Sequence, residues 1–380
     1  MLPSLRKSRP PTTLQLFISL IPQLLVALSV AALSFAAGRA SSFLPTPPPP
    51  THPGSDPCTW APDFRPLPAQ TFLDVQQLLF THPQLPPGAS VKVYATKRPG
   101  ASYAPHREFW DTASSGEWEK TTFRVLREAL TAGALASKNV YWDIGGWVGP
   151  TTLFAAHYVK RVLTLEPDPR AFEELYANAA LNPGLASRIE LFRHCLAGAT
   201  GPVTMTGPAP LGSSMSRVGG AARIPAAPAA EQNWGERMAS WPATCSAPAA
   251  FAARAGLAAG QLALVKVDVE GAEAAILPPL VAWLGEAGAP KPPIFVELHV
   301  EFWADAAGAA PRAVAEALSA YAFAYVSRAE RPGHEARPNA LLRYSPLELL
   351  EKEGAACPDK QTFCMVLVSD EEVAWAGHEA

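Results

Sequence analysis

From Asn139 onward, short apolar runs alternate with segments of helical period, and this limits the chain to few folds. "NVYWDIG" reads as a buried strand, "TTLFAAHYV" as a helix, "RVLTLEP" as a strand and "RAFEELYANAALN" as a helix stopped by Pro183 and Gly184. "RIELFRHCLA" and "LALVKVDVEG" read as strands, "AEAAILPPLVAWLGEAG" as a helix, "PPIFVELH" as a strand and "PRAVAEALSAY" as a helix. Alternation of this kind implies βαβ units, hence an α/β fold with a mostly parallel sheet and helices on both faces. "AFAYVSR" and "TFCMVLVSD" have no helical segment between them, so they are expected to pair antiparallel at the end of the sheet. The folded domain is expected over residues 71–380, with an amphipathic helix in "GEWEKTTFRVLREALTAG". Residues 200–260 are rich in Ala, Gly and Pro without clear period and read as a long insertion, either a lid or disordered.

The chain of 380 residues is 48% hydrophobic, enough for a sizeable core. Its net charge of -3 and lack of a basic stripe argue against nucleic acid as the main partner. Residues 1–13 carry Arg6, Lys7 and Arg9; residues 14–37 carry no charge and are long enough to span a hydrocarbon core of about 30 Å. The positive-inside bias then predicts a transmembrane signal anchor in type II orientation, with the bulk of the chain facing the ER or Golgi lumen. Small residues at 36–40 leave a cleaved signal peptide and secretion as the alternative, and an organelle transit peptide as a third reading. Proline, 40 residues in all, is concentrated before residue 100, and residues 38–70 read as an extended stalk. The five cysteines form no CxxC pair, which argues against zinc; Cys357 and Cys364 could bridge two loop ends in an oxidising compartment.

Four stretches carry chemistry. Asp143, Gly145 and Gly149 form D-x-G-x-x-x-G between a strand and a helix, where glycines permit a sharp turn and close approach of a ligand. Glu166 ends the next strand, 23 residues after Asp143, and an acid there can accept hydrogen bonds from both hydroxyls of a ribose. Neither a full G-x-G-x-x-G nor a P-loop is present, so the pair indicates a nucleoside-containing cofactor without naming it. "LVKVDVEGAE" delivers Lys266, Asp268, Glu270 and Glu273 to a strand end and helix start; Glu270 and Glu273 also suit the positive end of a helix dipole. "IFVELH" places Glu297 and His299 at the end of the next strand, where a histidine can act as a general base or sit as a hydrogen-bonded core residue.

"WDIGGWVG", "LTLEPDPRAFEELYANAALN", "LVKVDVEGAEAAIL" and "VELH", in this order over roughly residues 116–300, resemble the FkbM-type methyltransferases. The resemblance implies a class I, Rossmann-like methyltransferase fold, S-adenosylmethionine as cofactor, and methyl transfer to a hydroxyl of a glycan or small metabolite. Carried over by position, it implies that Asp143, Gly145, Gly146 and Gly149 shape the methionine and ribose side. Glu166 would hold the ribose, with Asp168, His194 and Cys195 near the adenine. The family's D-x-G-A-N-x-G turn differs here, with Gly146 and Trp147 at the A-N pair. The candidate bases are His299, Asp268 and Lys266, in that order; a magnesium ion on Asp268 and Glu297 is the less favoured alternative. Two further readings stand beside this one: a methyltransferase-like binding protein without activity, and a nucleotide-dependent oxidoreductase.

Overall fold

The computed structural model describes residues 75–96, 107–131, 138–208, 211–219, 238–286, 288, 290–303, 309–327, 341–344 and 364–373. The expected anchor at 14–37 and stalk at 38–70 lie outside the described residues. Among the described residues, no helix is long and apolar enough to cross a membrane.

An antiparallel hairpin comes first, β1 (Val75–Phe80) and β2 (Val91–Thr96). Helices Arg107–Ser115 and Lys120–Thr131 follow, then β3 (Val140–Ile144), helix Pro150–Ala155, β4 (Arg161–Leu165), helix Pro169–Ala180 and β5 (Ile189–Phe192). Next are β6 (Cys195–Leu196), β7 (Gly201–Pro208), β8 (Arg217–Val218), β9 (Met238–Ser246) and helix Pro248–Arg254. The chain continues with β10 (Leu262–Val267), helix Glu273–Glu286, β11 (Ile294–Leu298), helix Ala309–Leu318, β12 (Phe323–Ser327), β13 (Leu341–Tyr344) and β14 (Cys364–Ser369).

The main sheet has eight strands in the order β13-β12-β14-β11-β10-β3-β4-β5. β3, β4, β5, β10 and β11 are mutually parallel, and β14 lies antiparallel between β11 and β12. With β14 and β13 set aside, the parallel strands run 3-2-1-4-5-6, the order of a Rossmann-like sheet, and it reverses between β3 and β10. β3, β10 and β11 are buried along their whole length, which is why they read as unbroken apolar runs. Two apolar cores flank the sheet. On one face Trp142 stacks on Phe251, centroids 5.4 Å apart, beneath helix Glu273–Glu286. On the other, Phe123 and Phe154 pack edge-to-face at 4.9 Å.

The expected final pair, β12 and β14, is antiparallel as read, but β14 inserts inside the sheet and β13 takes its edge. "RIELFRHCLA" divides: β5 joins the main sheet, and β6 joins a second sheet of order β6-β9-β7-β8. Within the 200–260 insertion, therefore, residues 201–208 and 238–246 form a regular antiparallel ladder. This sheet is tied to β6 by a disulfide between Cys195 and Cys245. Cys364 is also disulfide-bonded; Cys357, the partner expected for it, lies outside the described residues.

Candidate functional site

The strand order reverses between β3 and β10, and ligands of such sheets bind in the crevice at the carboxyl ends beside that point. The glycine turn is built there. Gly145 and Gly146 donate their N–H groups to the Leu165 carbonyl at 3.0 and 3.1 Å, which docks the turn against β4. Gly145 has φ +88°, and a Cβ on it would lie 1.7 Å from the Asp268 carbonyl oxygen. A Cβ on Gly146 would lie 2.2 Å from Thr164 Cγ2. Gly145 needs glycine because the chain leaving β10 comes this close, and Gly146 because the Thr164 side chain on β4 does. Gly149, φ +98°, precedes helix Pro150–Ala155.

Asp143 is fully buried below the turn. Its Oδ2 accepts the hydroxyls of Thr151 and Thr152 at 2.9 and 2.7 Å. Its Oδ1 lies 3.8 Å from Lys266 Nζ. Burial raises its pKa, and Lys266 and the two threonines pull it back.

Glu166 receives two backbone N–H groups, Trp147 on Oε2 at 2.9 Å and Asp168 on Oε1 at 2.7 Å. Burial, with the Asp168 charge in support, pushes it up to about 8. Asp168, expected near the adenine, has its carboxylate engaged by four donors. Its Oδ1 caps helix Pro169–Ala180 through Arg170 N and Ala171 N, and its Oδ2 accepts Gly212 N at 3.0 Å and Ser216 Oγ at 2.8 Å. Trp147 occupies the left-handed region at φ 46°. Its indole Nε1 donates to the Gly212 carbonyl at 2.9 Å, and its ring meets Phe109 edge-on at 5.0 Å. Cys195 is spent in the disulfide. His194 is buried against Ser246 Oγ at 2.8 Å, with its pKa lowered to about 4 by burial.

The acid-rich stretch forms a second group around the ends of β10 and β11. Lys266 Nζ donates to Asp268 Oδ2 at 2.9 Å and to the Gly145 carbonyl at 3.4 Å. Burial opposes its charge, but Asp268, Asp143, Glu297 and Glu119 outweigh that and raise its pKa. These carboxylates favour the charged form of Lys266, and its two hydrogen bonds anchor the turn to Asp268. His299 Nδ1 is 3.0 Å from Glu273 Oε1, and its Nε2 lies 3.5 Å from Glu270 and 4.0 Å from Asp268. Burial opposes its charge too, and Glu270, Glu273 and Asp268 raise its pKa well above the ordinary value. Glu297 is buried and accepts the Thr122 hydroxyl at 3.2 Å.

Glu119 belongs to this group although sequence reasoning passed over it. Burial raises it to about 8, with Asp268 in support and Lys266, Thr122 and His299 opposing. In sequence it is one more acid ahead of a helix, and no motif signals its place beside Asp268, Lys266 and Thr122, where its backbone has φ 44°. The structure therefore gathers two groups at one sheet edge, a glycine turn with Glu166 and a carboxylate-rich corner with His299. The loop 211–217 borders both. No protein-family model matches the chain, and a search of curated proteins finds no match either.

Proposed function

We propose that this chain is an S-adenosylmethionine-dependent methyltransferase of the FkbM type, methylating a hydroxyl of a glycan or small metabolite. The observation that carries the reading is the meeting of the glycine turn with Asp268 at the point where the sheet order reverses, with Glu166 on the neighbouring strand end. A ribose would replace the two backbone donors on Glu166 or share its oxygens with them. The lack of a dinucleotide fingerprint weighs against the oxidoreductase reading.

The chemistry asked of the protein is alignment and proton removal, because the sulfonium is already an activated donor. Asp268 stands beside the turn and is the group placed to take the hydroxyl proton; His299, whose own proton Glu270, Glu273 and Asp268 favour, would sit next to it as a positive charge. A divalent cation fits the same corner. Asp268, Glu297 and His299 each offer an atom, and these atoms lie within 4.8 Å of one another. Glu273 bonds His299 Nδ1, the arrangement that orients a ligating imidazole. The mixed oxygen and nitrogen set suits manganese or zinc as well as magnesium. Such an ion would supply a lowered pKa for a bound hydroxyl.

Calorimetry on the full chain with S-adenosylmethionine tests the cofactor. Binding is expected, with loss in Glu166→Ala; a wild-type chain that binds none overturns the reading. Activity in the presence of a chelator separates the two routes: full activity leaves proton transfer to protein groups alone, and loss restored by a divalent ion supports the metal.

The segment 14–37 supports a membrane anchor facing the lumen, and the Cys195–Cys245 disulfide fits an oxidising compartment.

A further inference from the structure

We infer that Leu211–Arg217 is a roof that holds the cofactor half and the acceptor half of the site in register, with Trp147, Ser216 and Arg217 as its positioning residues. The inference rests on the methyltransferase reading for what lies under the roof, but the roof itself is argued from contacts alone.

At the cofactor end, one residue is gripped from both sides. Gly212 N donates to Asp168 Oδ2 at 3.0 Å, and the Gly212 carbonyl accepts the Trp147 indole N–H at 2.9 Å. Ser216 Oγ adds a donor to the same Asp168 oxygen at 2.8 Å. Gly212 has φ +108°, and a Cβ there would lie 2.8 Å from Arg170 Cγ, so the grip needs a glycine. The grip is adjacent to Glu166, the proposed ribose acid. Trp147 gives its backbone N–H to Glu166 and its ring N–H to the roof, while Asp168 gives its backbone N–H to Glu166 and its side chain to the roof. The same two residues thus set the ribose acceptor and the segment beside it.

At the acceptor end, the Arg217 guanidinium lies over the Phe302 ring at 4.7 Å. Phe302 in turn lies nearly parallel to the His299 ring, centroids 6.1 Å apart and planes 15° from each other. Glu270, which faces His299 Nε2, also acts on the Arg217 charge. Three planar groups are layered, and the outermost belongs to the roof. Movement of the roof would therefore be felt at the imidazole.

This arrangement explains the tryptophan in the turn. A short amide at position 147 would end too near its own backbone to reach Gly212 and pack on Phe109. An indole does both. Trp147 is a clamp, and its presence fits a working site with a roof fastened over it.

The experiment uses Trp147→Phe, which keeps an aromatic ring against Phe109 but lacks the N–H, and Ser216→Ala, with Ser216→Thr as the rescue. Amide hydrogen exchange on the full chain without cofactor should show residues 211–217 exchanging about tenfold faster in both variants, as expected for loss of one hydrogen bond, and restored in Ser216→Thr. With cofactor, both variants should raise its KM and dissociation rate by about tenfold while kcat holds. Arg217→Gln should do the converse, lowering kcat and shifting the pH profile while the cofactor KM holds. Unchanged exchange in Trp147→Phe and Ser216→Ala overturns the roof. A wild-type chain that binds no S-adenosylmethionine but shows the exchange differences overturns the methyltransferase reading and leaves the roof standing.

Discussion

Glu166 is a carboxyl held at about 8 in a place where a ribose would want a carboxylate. The cause is burial first and the neighbouring Asp168 second, with the two backbone donors working against them. The sign follows from linkage. The folded chain binds this proton more tightly than the unfolded chain, so the stabilisation it gives is full below the ordinary value of 4.5 and is lost as pH rises through about 8. Cofactor binding should run the other way, since ribose hydroxyls donate to the ionised form. Affinity for S-adenosylmethionine is expected to rise with pH up to about 8 and then level. In Glu166→Gln the rise should vanish and affinity fall by about tenfold, read by calorimetry across that range. Trp147→Asn restores the small amide of the family pattern, and here it should weaken cofactor binding because it releases Gly212. A gain in affinity would mean that the indole obstructs the site and would favour the binding-protein reading. Gly145→Ala addresses the turn itself. Its Cβ has no space beside Asp268, and φ +88° adds strain, so a loss of about 3 kcal/mol or more, or failure to fold, is expected in denaturant unfolding.

The second sheet combines the β7–β9 ladder with one covalent tie. The Cys195–Cys245 disulfide closes a loop of 50 residues, for which chain entropy gives about 4 kcal/mol as an upper figure. Cys245→Ser is expected to cost about 2–4 kcal/mol in denaturant unfolding, and a reductant, which also opens the bond at Cys364, should cost the wild type at least as much. An unchanged midpoint would show that the ladder between β7 and β9 holds the sheet alone. That sheet was also the least legible part of the chain. β3, β4, β10 and β11 were readable because burial on both faces writes unbroken apolar runs. β7 and β9 contain Pro202, Pro208 and Pro242 and bury only scattered positions such as Met205 and Trp241, so they show no run to read. The site divides in the same manner. Asp143, Gly145, Glu166, Asp268 and His299 stand at the ends of readable strands. Glu119 and Gly212 are brought in by loops whose paths follow from tertiary contacts, and the four donors on Asp168 come from residues 170, 171, 212 and 216, two of them too distant in sequence to be read from a motif.

At the scale of the whole molecule, compartment and chemistry constrain each other. Disulfides persist in oxidising compartments and are rare in the cytosol, so Cys195–Cys245 and the bonded Cys364 fit a chain whose bulk has crossed a membrane. The charge pattern around residues 14–37 argues independently for the same side. A domain placed there would meet glycans, which fits a hydroxyl acceptor, and would depend on cofactor carried across the membrane. Protease added to sealed vesicles bearing the full chain is expected to leave the domain intact and to digest it once detergent opens them. Digestion in intact vesicles would place the domain in the cytosol, where a reducing environment would remove the bond that fastens β6 to β9 and expose the second sheet to unfolding. Cytosolic placement would thus be visible twice, as protease sensitivity and as free thiol at Cys195 and Cys245, and agreement between the two measurements decides the orientation.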